Sequence, residues 1–186
     1  MTGLIALWLP ILLSAVIVFI ASALIHMVLP WHKGDYRSVP DEEKVSATLR
    51  PFAIPPGDYM LPRPASSADL KSPEFLERVR QGPNIVMTVL PNAQWSMGRN
   101  LSLWFLYCLV VSILAAHVTG LVAPAGSDYH AVFHFIGVTS FIGYAVALWQ
   151  MSIWWRRSWM TTFKATVDGL IYALLTAATF AWLWPK

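Results

Sequence analysis

Four apolar runs constrain this chain more than any other feature: roughly Leu4 to Leu29, Leu101 to Val122, Val132 to Ile153 and Thr166 to Trp184. Each approaches or exceeds the about 20 mostly apolar residues that a helix needs to cross a bilayer. The expected fold class is all-α: a membrane protein with four transmembrane helices in an antiparallel bundle. A small α+β insert joins helices 1 and 2. The boundaries read from the sequence are 1–31 for the first helix, 32–98 for the insert and 99–186 for helices 2 to 4.

The uneven distribution of charge supports this division. Of 186 residues, 56% are hydrophobic and 12% charged. Residues 31–99 hold nine of the thirteen Lys and Arg and eight of the ten Asp and Glu. The net charge of +3 therefore describes loops rather than a surface. No long basic patch follows a phosphate backbone, which argues against a nucleic-acid partner. The single cysteine, Cys108, falls inside the second run and reads as a small buried hydrophobe. The first run has no Lys or Arg ahead of it and is far longer than the apolar core of a signal peptide, so it reads as a retained anchor.

Basic residues assign an orientation, because loops on the cytoplasmic side carry the excess of Lys and Arg. Lys33, Arg37 and Lys44 follow the first run, and Arg156, Arg157 and Lys164 lie between the third and fourth, whereas Ala123 to His130 carries none. Residues 32–98 and the 3–4 loop are expected in the cytoplasm, and both termini outside, in a bacterial inner membrane. Trp31, Trp104, Trp154, Trp155 and Trp159 would mark the inner interface, and Trp8, Trp182 and Trp184 the outer one.

Local signals are present in the insert. Ser38-Val39-Pro40-Asp41-Glu42-Glu43 reads as a helix start with acids in its first turn, running to about Leu49. Ser72 and Pro73 read as N-cap and first residue of a second helix that Gly82 ends. Tyr59-Met60-Leu61 is expected to pair with Ile85 to Leu90 as a short hairpin or small sheet. A unit of this size has a marginal core and would lean on the membrane helices or on a partner.

From the residue before the fourth run onward, Ala165, Gly169, Ala173, Ala177 and Ala181 recur four apart, as do Thr139, Gly143 and Ala147 in the third. Small residues at this spacing let helices approach closely in lipid, so the third and fourth helices are expected to be the tightest pair. Asp168 is the only acid inside a run, and an intramembrane carboxylate needs a partner. Lys164, four residues earlier, reaches it on the same helical face, and His26 of the first run lies at similar depth. The expected role of His26, Lys164 and Asp168 is an ion pair or interhelical hydrogen bond, with proton or ion binding as the alternative.

On the outer side, His117 and His134 mirror one another about the 2–3 loop, and His130 and His134 stand at i, i+4. Three imidazoles converging there would suit zinc or copper, with Asp128 or water completing the set. Haem fits less well between helix axes about 8–10 Å apart. His32, in Trp31-His32-Lys33-Gly34-Asp35, reads as an interfacial residue on the opposite membrane side.

No glycine-rich phosphate loop, GxSxG, HExxH or Cys-x-x-Cys occurs, and nothing argues for an enzyme. The first functional expectation is a non-catalytic subunit or accessory factor of a membrane complex, with the bilayer and a membrane-protein partner or second copy as its contacts. The alternative is an outer-face metal-binding protein using His117, His130 and His134. A small proton- or ion-coupled transporter is the third.

Overall fold

A computed structural model describes residues 2–93 and 96–186. The chain divides into two compact units. One comprises the described residues through Tyr36 together with Ser96–Lys186, and the other the described residues from Arg37 onward to 93.

In the first unit, Leu4–Val28, Met97–Val122, Tyr129–Trp155 and Trp159–Leu183 are long and apolar enough to cross a membrane. The first of these contains α1 (Trp8–Ala23), entered by a 3-10 turn at Leu4–Leu7 and left by a π-helical turn at Leu24–Val28. Pro10 sits in the first turn of α1, where a missing N–H breaks no intrahelical bond.

The insert contributes α2 (Glu42–Leu49), β1 (Gly57–Leu61), α3 (Pro73–Gln81) and β2 (Ile85–Val89). The strands pair antiparallel, Gly57 with Val89 through to Leu61 with Ile85. Ser72 caps α3 by accepting the Phe75 N–H at 3.1 Å, and Gly82 ends it at φ 63°. The α2 helix begins at Glu42, two residues later than Pro40, because Asp41 takes a left-handed conformation. Among the described residues of this unit, Phe75 is the buried hydrophobic one.

The remaining helices are α4 (Met97–Val122), α5 (Tyr129–Tyr144), α6 (Trp149–Trp155) and α7 (Trp159–Leu183). The third apolar run is thus not one unbroken helix. At Ala145 the backbone leaves helical geometry (φ −127°, ψ −44°), and a 3-10 turn at Val146–Leu148 precedes α6. Hydrogen bonds hold α6 on α7, from Trp149 Nε1 to Thr166 Oγ1 at 3.0 Å and between the Ser152 and Thr162 hydroxyls at 2.7 Å.

Each long helix packs on two others: α1 on α4 and α7, and α5 on α4 and α7, the last pair being the most extensive. Neighbours run antiparallel. Ser14 meets Ser112 at 3.0 Å, and the Trp104 indole N–H donates to Ser22 at 2.7 Å. The α5–α7 seam is close because a Cβ on Gly169 would lie 2.7 Å from that of Ala145, and one on Gly137 3.4 Å from that of Ala177. Gly143 does not serve this seam. It faces Val111 of α4, whose methyls would lie 3.2–3.3 Å from an added Cβ.

One end of this unit is stitched by hydrogen bonds. The Thr2 N–H and hydroxyl donate to Gly120 O and Ala123 O, both at 2.9 Å. The Gly126 N–H donates to Pro185 O at 2.8 Å, and the Trp184 indole to Pro124 O at 3.0 Å. Asp128 accepts the N–H groups of His130 and Ala131 at 2.9 and 3.3 Å and so caps α5, which occupies it with the backbone.

Candidate functional site

The site forms at the other end, where α1 unwinds. The π-helical turn carries His26, a local geometry that recurs at functional sites. Extended Leu29 and the 3-10 turn Pro30–His32 then reverse the chain, and the Asp35 N–H closes on His32 O at 3.1 Å. This reversal brings His32 and Asp35 back onto α7.

There they meet a chain of polar contacts. His32 Nδ1 lies 2.6 Å from Asp35 Oδ2, and His32 Nε2 lies 2.8 Å from Asp168 Oδ2. Lys164 Nζ donates to Asp35 Oδ1 and to the Trp31 carbonyl, both at 2.7 Å. The His26 ring stacks on His32 with centroids 4.2 Å apart, and His26 Nε2 stands 3.4 Å from the Tyr172 hydroxyl. Side-chain exposure is 15% for His32, 10% for Asp35 and 5% for Asp168, so these contacts form with little water present. Burial pushes the Asp35 carboxyl up, but hydrogen bonds from His32 and Lys164 and the charge of Lys164 outweigh it, leaving the carboxyl below its ordinary value.

Both ring nitrogens of His32 thus face carboxylates. The second oxygen of Asp168 remains: Oδ1 is buried and has no hydrogen-bond partner. An orphaned buried carboxylate oxygen carries a desolvation penalty that a cation would relieve. Ligand atoms of His26, His32 and Asp168 all lie within 4.8 Å of one another. A tetrahedral ion with bonds of 2.0–2.1 Å holds its ligand atoms roughly 3.3 Å apart, so the 2.8 Å His32–Asp168 contact would open slightly while any wider spacing in the set closes. The ion would replace the proton between His32 Nε2 and Asp168. The His32 Nδ1–H would remain on Asp35, the carboxylate–histidine arrangement that fixes a metal-binding ring.

A cavity of about 770 Å³ adjoins these residues. Trp104 and Tyr107 of α4, Tyr144 of α5 and Tyr172 of α7 line it, with Trp104–Tyr107 and Tyr144–Tyr172 centroids 5.5 and 5.6 Å apart. The break after Tyr144 shapes its rim, to which Leu148 and Arg157 contribute.

The residues singled out from sequence fare unequally. His26 and Asp168 come together. Lys164 does not pair with Asp168 but crosses to Asp35. His117, His130 and His134 are exposed and form no such ligand set among the described residues. The reason is register. Val132 and Ile136 point inward from α5, and Ala115, Ala116 and Thr119 from α4, so the imidazoles project from other faces. His32 and Asp35 were missed as site residues. Their i, i+3 spacing beside Pro30 was the available signal, since a tight turn puts such a pair on one side. Comparison with family models, with curated proteins and with solved structures gives no match.

Proposed function

We propose that this chain is an integral membrane protein that binds a divalent transition-metal ion, zinc or copper in type, at the cytoplasmic end of an antiparallel four-helix bundle. His26, His32 and Asp168 supply the ligands, and Asp35 orients His32. The observation that carries this reading is the orphaned Oδ1 of buried Asp168 beside two stacked imidazoles. Two histidines and a carboxylate leave a fourth position open, the pattern of sites that handle a further ligand. The orientation rests on Lys33, Arg37, Arg156, Arg157 and Lys164 near this end, against none in Ala123 to His130. It places both termini outside, in keeping with a bacterial inner membrane.

Elemental analysis of full-length protein, purified in detergent without chelator, tests the reading. About one ion per chain is expected in wild type and His134→Ala, and loss in His32→Gln and Asp168→Asn. Wild-type protein that is metal-free and takes up neither Zn²⁺ nor Cu²⁺ on titration refutes it.

A second reading, a non-catalytic subunit of a membrane complex, is favoured by the insert. Phe52, Leu61, Leu76 and Leu90 are 70%, 52%, 54% and 53% exposed. A unit this small with so much apolar surface in water gains from a partner or a second copy. Native mass spectrometry of detergent extracts tests it, and a solitary monomer with no co-purifying chain counts against it.

A further inference from the structure

We infer that the cavity beside the metal site takes the phosphomonoester headgroup of a membrane lipid, shared between the bound ion and Arg157. This rests on the metal reading above and adds the ligand that fills the ion's open position. The first observation is an unpaired cation. Arg157 is half-buried, lines the cavity and has no acidic partner among the described residues. Its backbone is fixed by an N–H bond to Met151 O at 3.1 Å, after a left-handed Arg156 at φ 57°.

The second observation is that Asp168 and Arg157 line the same cavity yet do not pair. Lys164 already neutralises Asp35. Beyond its contact with His32, Asp168 keeps one unpartnered oxygen, and Arg157 has no acid; the two stand apart in the cavity, suited to a ligand that is itself a cation joined to an anion. A metal ion at Asp168 holding a phosphate that reaches Arg157 has that form. With a divalent ion present, Lys164 and Arg157 balance Asp35 and Asp168, and the site keeps two positive charges. A phosphomonoester carries up to two negative charges near neutral pH, and its oxygens match a guanidinium fork.

The third observation selects a lipid over free phosphate. Leu103 and Tyr107 line the cavity, yet they are 53% and 40% exposed on the outer surface of α4. The apolar wall is therefore continuous with the face that meets acyl chains. The Tyr107 hydroxyl donates to Gly143 O, tying α4 to α5 at the cavity's edge. An amphiphile entering sideways keeps its chains in the bilayer while its headgroup reaches the ion.

The test uses full-length, zinc-loaded protein in mixed micelles. Native mass spectrometry follows retention of phosphatidic acid against phosphatidylcholine of the same chains, with inorganic phosphate as a soluble competitor. We expect phosphatidic acid to be retained about tenfold better, and Arg157→Gln to remove most of that preference while keeping its zinc. Equal retention of the two lipids, or a preference unchanged in Arg157→Gln, overturns the inference and leaves the metal reading standing. Inorganic phosphate bound in zinc-dependent fashion without any lipid preference also overturns it, naming a soluble anion instead. Phosphatidic acid retained by protein that binds no zinc overturns the shared coordination and the metal reading together.

Discussion

The contact between Gly169 and Ala145 makes a sharp prediction, because Gly137 on the same seam provides an internal control. In Gly169→Ala the new methyl would lie 2.7 Å from the Ala145 Cβ and 3.4 Å from its N and Cα, so backbone must shift. Overpacking of this kind costs about 1–3 kcal/mol. Alanine returns about 1 kcal/mol of helix propensity, leaving a net loss of up to about 2 kcal/mol. In Gly137→Ala the methyl meets only the Ala177 Cβ, at 3.4 Å. The propensity gain of about 1 kcal/mol then dominates. For a chain of this length, 1 kcal/mol moves Tm by about 2–4 °C. Gly169→Ala should fall by up to about 8 °C, and Gly137→Ala should rise by about 2–4 °C. The buried single cysteine, Cys108, is a built-in reporter for a thiol-reactive dye during thermal unfolding in detergent. The decisive result is the pair of signs. If both variants rise, the α5–α7 approach at Ala145 is looser than described and the reasoning fails.

Three further expectations follow from individual contacts. Lys164→Met removes hydrogen bonds to Asp35 and to Trp31 O. A loss of about 1.5–3 kcal/mol is expected in equilibrium unfolding, and an unchanged midpoint would show that the crossing contact is idle. For the Ser14–Ser112 hydroxyl pair, a double-mutant cycle with alanine should give a coupling of about 0.6 kcal/mol, and zero coupling would contradict the contact. In the insert, the Ala65 N–H and the Ser72 hydroxyl, aided by Arg78, hold the Asp69 carboxyl below its ordinary 3.8. Its depressed folded pKa means that Asp69 contributes stability above that value, which is lost as pH falls through the lower folded one. NMR titration of the Asp69 carboxyl in the intact protein should give a midpoint under 3.8, whereas a midpoint at or above it would refute the assignment.

The sequence disclosed elements better than the site, for physical reasons visible in particular residues. Hydropathy over about 20 residues is a strong signal, and all four runs fall in helical segments long and apolar enough to cross a membrane, the third of them broken at Ala145. Turn chemistry was equally readable at Ser72, Pro73 and Gly82, because capping is local. The break at Ala145 was hidden, since Val132 to Ile153 stays apolar throughout while the backbone leaves helical geometry within it. The same holds for Lys164. Helical spacing offers it Asp168, but a long flexible ammonium goes to whichever buried acceptors are in reach, and the reversal at Pro30 supplied Asp35 and the Trp31 carbonyl. For the outer histidines, matched depth and i, i+4 spacing say nothing of which face is buried, and all three stand exposed. His26 and Asp168 were legible because a titratable group in an apolar run demands a partner.

The hydrogen bonds that fasten Thr2, Gly126 and Trp184 around the 2–3 loop make the two ends of the helical unit unlike. One end is laced shut by backbone carbonyls, and the other holds the histidines and the cavity. The helical unit built in this way resembles a cup more than a pipe: on the proposed reading, whatever it captures is loaded and surrendered at its one open end. The fastened rim would give the helices a fixed base against which the open end can adjust.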